Sequence, residues 1–177
     1  MEKTFVKDLI MILNKSKVKY VFTGAFTLFY YGFPRASMDI DVIVEKNKTK
    51  LLKFVGMLCK KGFSVSDSDV IDALDKCEHF SVFYKDLFPY FDFRIACDDD
   101  SLLALSNAKI VYYHRVKCRI VSPETLVVKK LEWQDMKDVR SILFRCKNKL
   151  DMKMLFTLAK SRNVDKELKK LLDELED

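Results

Sequence analysis

The sequence predicts an α/β (α+β) protein, with an α/β domain over residues 1–121 and a helical segment over residues 122–177 packed on it. Short runs rich in β-branched and aromatic residues alternate with stretches of helical apolar spacing up to residue 121. From Ser122-Pro123-Glu124 onward, which supplies an N-cap, a first-turn proline and an acid, only helical spacing recurs. With 177 residues, 49% of them apolar and 33% charged, the chain has enough apolar side chains for a packed core.

Local patterns justify each element of the α/β part in chain order. Apolar residues at helical spacing predict helices over 3–14, 25–31 and 49–59, the last two stopping at Gly32 and Gly62. Runs of apolar and β-branched residues predict strands over 20–23 and 39–44. The aromatic-rich runs 79–84 and 90–96 predict a hairpin, and two further strands are predicted over 110–114 and 117–121.

The helical segment is predicted to contain helices over 123–146, 150–161 and 164–175. Before it, Asp98-Asp99-Asp100 precedes an apolar helical run, which favours a helix N-cap and dipole complement over a metal cluster. Trp133 and the aromatic side chains of the hairpin are predicted to lie in the core, and His79 and His114 to be structural.

Cysteine and histidine usage excludes several classes of protein. The five cysteines, at 59, 77, 97, 118 and 146, lie at least 18 residues apart and form no C-x-x-C pair, which predicts buried thiols and no disulfide. Two histidines cannot supply a histidine-rich metal centre. The longest nearly uncharged stretch, 20–34, is too short to cross a bilayer, so a cytoplasmic protein without a membrane partner is expected.

Charge is unevenly distributed along the chain. Residues 1–106 carry 15 Lys and Arg against 15 Asp and Glu, whereas residues 107–170 carry 17 against 7. This basic second part is typical of a protein with a polyanionic partner, such as nucleic acid or nucleotide phosphates. The alternative is a solvated face of surface helices, and charge alone does not decide between them.

Paired carboxylates are the clearest chemical signal. Asp39 and Asp41 alternate on a predicted strand and therefore share one face, with their Cα atoms about 6.6 Å apart. Asp92 lies between two phenylalanines on another strand and faces away from the apolar side. Three carboxylates on neighbouring strands would suit Mg²⁺ or Mn²⁺, which prefer oxygen ligands. A solvated strand end, or the Asp-x-Asp of a glycosyltransferase, would also give such a pair, although the chain is short for the latter fold.

A turn that could bind phosphate precedes these carboxylates. Gly24 follows a strand and opens a helix, so that free backbone N–H groups and a helix N-terminus lie together. A phosphate-binding turn about 15 residues before paired metal-binding carboxylates is the layout that nucleotidyl transfer requires.

Two stretches of the chain resemble the nucleotidyltransferase superfamily, which has the polymerase-β-like fold. Residues 20–44 read YVFTGAFTLFYYGFPRASMDIDVIV, similar to the AbiEii-type branch with its Gly-Gly-x-Ala turn, later Gly, and Arg-x-Thr/Ser-x-Asp-Ile-Asp. Residues 122–142 read SPETLVVKKLEWQDMKDVRSI, similar to that branch's second motif. The resemblance covers about residues 18–145 and implies a mixed β-sheet flanked by helices.

The resemblance also implies a role for each matching residue. Backbone N–H groups of Gly24 and Ala25 would hold the triphosphate. Asp39, Asp41 and Asp92 would bind the metal ions, with Asp92 as third ligand or as base for the attacking hydroxyl. Arg35 and Ser37 would hold phosphate or orient Asp39, and Lys130 and Asp138 match the second motif, with Lys130 meeting a phosphate. The chain departs from the branch at Ala25 and at Ser141, where an aspartate often recurs.

The implied function is a Mg²⁺-dependent nucleotidyltransferase. It would move a nucleoside monophosphate from an NTP to a hydroxyl of RNA or tRNA, a protein or a small molecule, and it could belong to a toxin–antitoxin pair. Ala25 and Ser141 favour the alternative, a catalytically silent binding module for nucleotide or RNA, or an antitoxin-like partner. The sequence leaves the oligomeric state open.

Overall fold

The computed structural model describes residues 4–85 and 87–175, and in these residues the chain forms one mixed seven-stranded sheet with helices. The strand order is β3-β4-β5-β2-β1-β7-β6. The strands are β1 Tyr20–Phe22, β2 Asp39–Glu45, β3 Phe63–Ser64, β4 His79–Tyr84, β5 Leu87–Ala96, β6 Lys109–Tyr113 and β7 Val116–Ile120. The predicted α/β class and mixed sheet are confirmed.

Nine helices are described in the same residues. They are α1 Thr4–Ser16, α2 Gly24–Tyr31, α3 Lys48–Cys59, α4 Asp67–Lys76, α5 Asp99–Ser106, α6 Pro123–Glu132, α7 Met136–Cys146, α8 Met152–Ser161 and α9 Asp165–Asp173, with a 3₁₀ turn at Lys147–Lys149. Within the described part of the chain, no helix combines the length and the apolar character needed to cross a membrane. Two predicted features fall partly outside the described residues: the start of the helix predicted over 3–14, and Asp86 in the turn between the two strands of the predicted hairpin.

By its internal contacts, the chain divides into two compact units. The sheet unit comprises the chain up to Thr23 and Ser37–Ile120, so it contains all seven strands with α1, α3, α4 and α5. The helical unit comprises Gly24–Ala36 and the chain from Val121 onward, so α2 belongs with α6 to α9.

Most of the core of the sheet unit lies on one face of the sheet, although Val21 of β1 is buried on the opposite face. Strand β2 runs antiparallel to β1 and parallel to β5, and its apolar residues Ile40, Val42 and Val44 alternate with half-buried positions. Helices α1 and α3 cover this face, with the Phe54 ring 5.5 Å from that of Phe93. Each fully buried phenylalanine of this kind stabilises the fold by about 1.5–3 kcal/mol. Apolar alternation therefore fixes which side of β2 faces away from the core.

The helical unit is held together by contacts between its own helices. Helix α2 contacts α7, α6 contacts α7 and α8, and α8 contacts α9. The predicted N-cap is confirmed, because the Ser122 hydroxyl accepts a hydrogen bond from the backbone N–H of Thr125 at 3.2 Å. Asp98 likewise caps α5 in the sheet unit, accepting from the Ser101 N–H at 2.7 Å.

One predicted helix is wrong as a single element. The helix expected over 123–146 is broken between Glu132 and Met136, because Gln134 adopts a left-handed backbone conformation with φ of 57°. The Trp133 side chain at the end of α6 is 64% exposed, so its predicted place in the core is also wrong. A helix without proline or glycine at its break gives no strong stop signal in the sequence.

The prediction that no cysteines pair is wrong for one pair. Cys77 and Cys97 form a disulfide, since the antiparallel pairing of β4 with β5 brings the ends of the two strands together. Sequence spacing carries no information about this register. Cys118 and Cys146 are buried free thiols as expected, and burial raises the pKa of the Cys118 thiol to about 12, whereas Cys59 is exposed.

Candidate active site

Three aspartates form a carboxylate row on the sheet, defined here as Asp39, Asp41 and Asp92. Asp39 and Asp41 are half-buried and share the face of β2 that points away from the core. Asp92 on β5 is the register partner of Asp41 in the parallel pair. Adjacent strands lie about 4.8 Å apart, so the row places three carboxylates on one face of two neighbouring strands.

Two polar neighbours hold the ends of the carboxylate row. The Ser37 hydroxyl donates a hydrogen bond of 2.6 Å to Oδ1 of Asp39. Oδ2 of Asp92 lies 2.9 Å from Nδ1 of His79 on β4, and the His79 side chain is 50% exposed. The sequence predicted a structural role for His79 and did not indicate this contact, which arises because the register of β4 on β5 places His79 next to a candidate metal ligand.

The donor chemistry of the row fits a hard divalent cation. Carboxylate oxygens are the ligands that Mg²⁺ and Mn²⁺ prefer. In the residues that the structure describes, no three His, Cys, Asp or Glu side chains are grouped closely enough to form a complete metal centre. The like charges of the three carboxylates repel one another. The carboxyl group of Asp39 is hydrogen-bonded to Ser37, and that of Asp92 contacts His79. The row therefore supplies oxygen ligands but not an assembled ion cage.

In the helical unit, four charged side chains form the Lys130 cluster, defined as Lys130, Asp135, Asp138 and Arg35. The Lys130 ammonium lies 2.6 Å from Oδ2 of Asp135 and 2.7 Å from Oδ2 of Asp138. The Arg35 guanidinium lies 3.2 Å from the same Asp138 oxygen. The Lys130 and Asp138 side chains are only 6% and 5% exposed, whereas Arg35 is 45% exposed.

These contacts bear on the phosphate role expected for Lys130. Two carboxylates engage its ammonium group in a buried setting, an arrangement that orders side chains rather than presenting a cation to a ligand. Burial raises the pKa of Asp135, but the hydrogen bond and charge of Lys130 outweigh it, so that the pKa lies below its usual range. The geometry favours Lys130 and Asp138 as the anchor for Arg35 and gives no support to a phosphate contact by Lys130.

Asp135 was not identified from the sequence. On the continuous helix predicted over 123–146, five residues of about 100° each would place it some 140° around the helix from Lys130. The break after Glu132 instead returns the chain, and the Asp135 N–H donates to the Lys130 carbonyl at 2.9 Å. The Lys130 cluster therefore depends on a turn that periodicity did not reveal.

Gly24 and Ala25 begin α2, directly after β1 in the chain. Gly24 has φ of 61°, a left-handed conformation that glycine adopts without the steric cost of a Cβ atom. The Thr27 hydroxyl donates 2.7 Å to the Gly24 carbonyl. The backbone N–H groups of the first helical turn have no partner within an α-helix, so they can in principle donate to an anion.

Ser141, one of the two departures from the AbiEii-type pattern, packs against Gly32 in the helical unit. Its hydroxyl donates to the Asp138 carbonyl at 3.0 Å and accepts from the Phe33 N–H at 3.3 Å. A Cβ atom on Gly32 would lie 2.5 Å from this hydroxyl. The close approach of the chain after α2 to α7 therefore requires glycine at position 32.

We expect Gly32→Ala to lower the free energy of unfolding by about 1–3 kcal/mol, the usual cost of overpacking a filled site. Gly56→Ala is the matched control, because a Cβ atom at this helical position has no neighbour within 4 Å. That substitution should stabilise the protein by about 0.5–1 kcal/mol. Urea unfolding of the two variants measures both, and equal stability of the two would contradict the packing described for Gly32.

Comparison with known proteins shows the fold but no sequence family. Neither a protein-family model nor a curated protein matches the sequence. The antibiotic-resistance factor ANT(2″)-Ia, solved in complex with adenylyl-2″-tobramycin, has a TM-score of 0.60 at 13% identity, over 90% of this chain and 96% of that one. A nucleotidyltransferase-like protein from Paracoccidioides brasiliensis has a TM-score of 0.59 at 18% identity, over 97% and 91%.

A third similar structure is the lincosamide adenylyltransferase LnuA bound to lincomycin, with a TM-score of 0.53 at 13% identity, over 80% of this chain and 96% of that one. The protein therefore has the nucleotidyltransferase fold that the sequence resemblance implied. The narrower assignment to the AbiEii-type branch stays a prediction.

Proposed function

We propose that this protein is a Mg²⁺-dependent nucleotidyltransferase that moves a nucleoside monophosphate from an NTP to a hydroxyl group. The observation that carries the proposal is the carboxylate row, in which Asp41 and Asp92 are register partners on adjacent strands and Asp39 shares their face. This row occurs in a chain whose fold matches that of adenylyltransferases. Fold alone does not establish an activity, so the proposal rests on the row.

In this proposal Asp39, Asp41 and Asp92 would hold Mg²⁺ or Mn²⁺. The bound metal would supply activation of the attacking hydroxyl and neutralisation of the leaving pyrophosphate. Ser37 keeps Asp39 in place through its hydrogen bond, and His79 does the same for Asp92. Asp92 could alternatively accept the proton of the acceptor hydroxyl, since one of its oxygens faces His79 and the other remains for a second contact.

The backbone N–H groups of Gly24 and Ala25 would bind the triphosphate of the NTP. Ala25 lacks the hydroxyl that a serine would add, but backbone donors at a helix N-terminus can bind phosphate without it. Arg35 would serve either as a phosphate ligand or as part of the Lys130 cluster, to which it is already bound. Asp138 would act in the same cluster rather than on the nucleotide.

The proposal is tested by incubating the protein with α-labelled NTPs, Mg²⁺ and candidate acceptors, with ATP first because the similar enzymes are adenylyltransferases. Asp41→Asn should lower transfer by about 10²- to 10³-fold, because it removes a ligand of the cation that would counter negative charge in the transition state. The matched control is Asp75→Asn on the exposed side of α4, which should transfer at the wild-type rate. Equal transfer by the two variants, or none by the wild type with any NTP, would overturn the proposal.

A catalytically silent binding module is the second candidate function. Two observations favour it: the described residues contain no complete metal centre, and Ala25 and Ser141 depart from the branch pattern. Such a module would bind RNA or nucleotide without divalent metal, whereas the enzyme would bind an NTP only with it. Equilibrium binding of labelled NTP with and without EDTA separates the two.

The finer biological assignments also stay proposals. The protein would act in the cytoplasm, where NTPs and Mg²⁺ are present together. A toxin or antitoxin role predicts that expression changes cell growth in a manner that Asp41→Asn abolishes.

A further inference from the structure

The hairpin of β6 and β7 presents an exposed face that combines apolar and cationic side chains. Ile110 and Tyr112 on β6 are 50% and 68% exposed. Across the hairpin, Ile110 is the register partner of Arg119, and Tyr112 of Lys117. These four residues are called the hairpin platform. Lys117 and Arg119 are exposed as well, whereas their neighbours Cys118 and Ile120 are buried on the other face.

Charge on this hairpin has one sign. Between Asp100 and Glu124 the sequence contains no acidic residue, while Lys109, Arg115, Lys117 and Arg119 contribute four cations. Strand β6 also lies at an edge of the sheet, so the platform is open along one side. A hairpin that has no carboxylates of its own, and that places an aliphatic group and a ring opposite two cations, complements a polyanion with flat, apolar bases.

The platform lies on the same face of the sheet as the carboxylate row. Register partners share a face, and Phe22 pairs with Val42 on β2 and with Ile120 on β7. All three are buried on the core side, so the alternating neighbours Asp41 and Arg119 both point to the opposite side. Strands β7 and β6 are two and three positions from β2, or about 10 and 14 Å at 4.8 Å per strand.

We propose that the hairpin platform binds single-stranded RNA, with a base stacked on Tyr112 and phosphates bound by Lys117 and Arg119. The position of the platform, on the face of the carboxylate row, makes this RNA the acceptor strand of the reaction proposed above. Only the role of this RNA as the acceptor rests on the proposed function. Binding itself requires neither nucleotide nor metal.

The test is fluorescence anisotropy of a labelled oligouridine of about twelve nucleotides, within the usual site size of single-strand binders, without NTP and with EDTA. Tyr112→Ala should weaken binding about 5- to 150-fold, the range measured for loss of one stacked base, and Tyr112→Phe should bind like the wild type. Lys117→Gln with Arg119→Gln should lower the slope of log K against log salt by about 1.4, since each lost phosphate contact removes about 0.7.

The matched control removes the same charge elsewhere. Lys60→Gln with Lys61→Gln alters two exposed lysines at the end of α3 and should leave both the affinity and the salt slope unchanged. Circular dichroism and melting curves verify that each variant is folded, which is expected because all the altered side chains are exposed.

Several results would overturn the proposal. It is contradicted if the wild type fails to bind the oligouridine, if Tyr112→Ala binds it unchanged, or if a duplex of the same length binds equally well. It is also contradicted if the platform variants bind RNA normally but bind an acidic peptide more weakly than the wild type does. Failure of the proposed function is separate. RNA binding without nucleotidyl transfer would support the RNA-binding role of the platform and contradict the proposed enzymatic function. Transfer to a small molecule without RNA binding would support the enzymatic function and contradict the role of the platform.

Discussion

Mg²⁺ together with an NTP should raise the melting temperature of the wild-type protein by roughly 5–10 °C. A ligand at about 100 times its dissociation constant stabilises the folded state by about 2.7 kcal/mol. For a chain of 177 residues, each kcal/mol corresponds to about 2–4 °C. The physical reason is the carboxylate row, which presents three negative groups on one sheet face to the added cation.

Asp41→Asn should show the opposite behaviour in the same melting experiment. Its metal-free form should be at least as stable as the wild type, because one like charge has been removed from the row. It should gain less than about 0.5 kcal/mol from metal and nucleotide, the size of an ordinary surface effect. Asp75→Asn serves again as control and should gain as much as the wild type. If the wild type gains nothing, or if Asp41→Asn gains as much, the row does not bind metal.

The second large effect is expected in the Lys130 cluster. Asp138→Asn should lower the free energy of unfolding by about 3–5 kcal/mol, because it leaves the buried Lys130 ammonium with less compensating charge. The melting temperature should fall by about 6–20 °C for a chain of this size. Differential scanning calorimetry with urea titration measures both quantities.

An exposed ion pair provides the matched control for this prediction. Lys76 and Asp72 lie 3.0 Å apart on α4, with side chains 59% and 64% exposed. Asp72→Asn makes the same chemical change but should cost no more than about 0.5 kcal/mol, since exposed pairs contribute little. Replacing both buried partners, as Lys130→Met with Asp138→Leu, should recover much of the lost stability. An Asp138→Asn variant as stable as Asp72→Asn would show that the cluster does not hold this unit together.

The fold was predictable mainly where a single pattern dominates. Strand β2 could be located because Ile40, Val42 and Val44 alternate with polar positions, and the same alternation indicated that Asp39 and Asp41 share a face. The N-caps at Ser122 and Asp98 were equally predictable, since each is a short polar side chain before an apolar helical run. Local chemistry determines these features, so one sequence is sufficient.

Features that depend on pairing between distant segments could not be predicted. The contact of His79 with Asp92 and the disulfide of Cys77 with Cys97 both follow from the register of β4 on β5. Asp135 joins the Lys130 cluster only because Gln134 takes a left-handed conformation, which the sequence does not indicate.

Helix α4 was not predicted, although its signals are local: Ser66 caps it, and Val70, Ala73 and Leu74 are buried at helical spacing.

The discontinuous helical unit has a consequence for synthesis on the ribosome. The segment Gly24–Ala36 emerges long before its partners, since Phe33 and the Ser141 hydroxyl that binds its N–H are 108 residues apart. At about 5–20 residues per second, α2 waits on the order of 5–20 s for α7 to be translated. During this interval α2, with Leu28 buried only in the folded protein, lacks the contacts with α7 that it makes in the native structure, so nascent chains halted before residue 141 should be the species most exposed to chaperones and to aggregation.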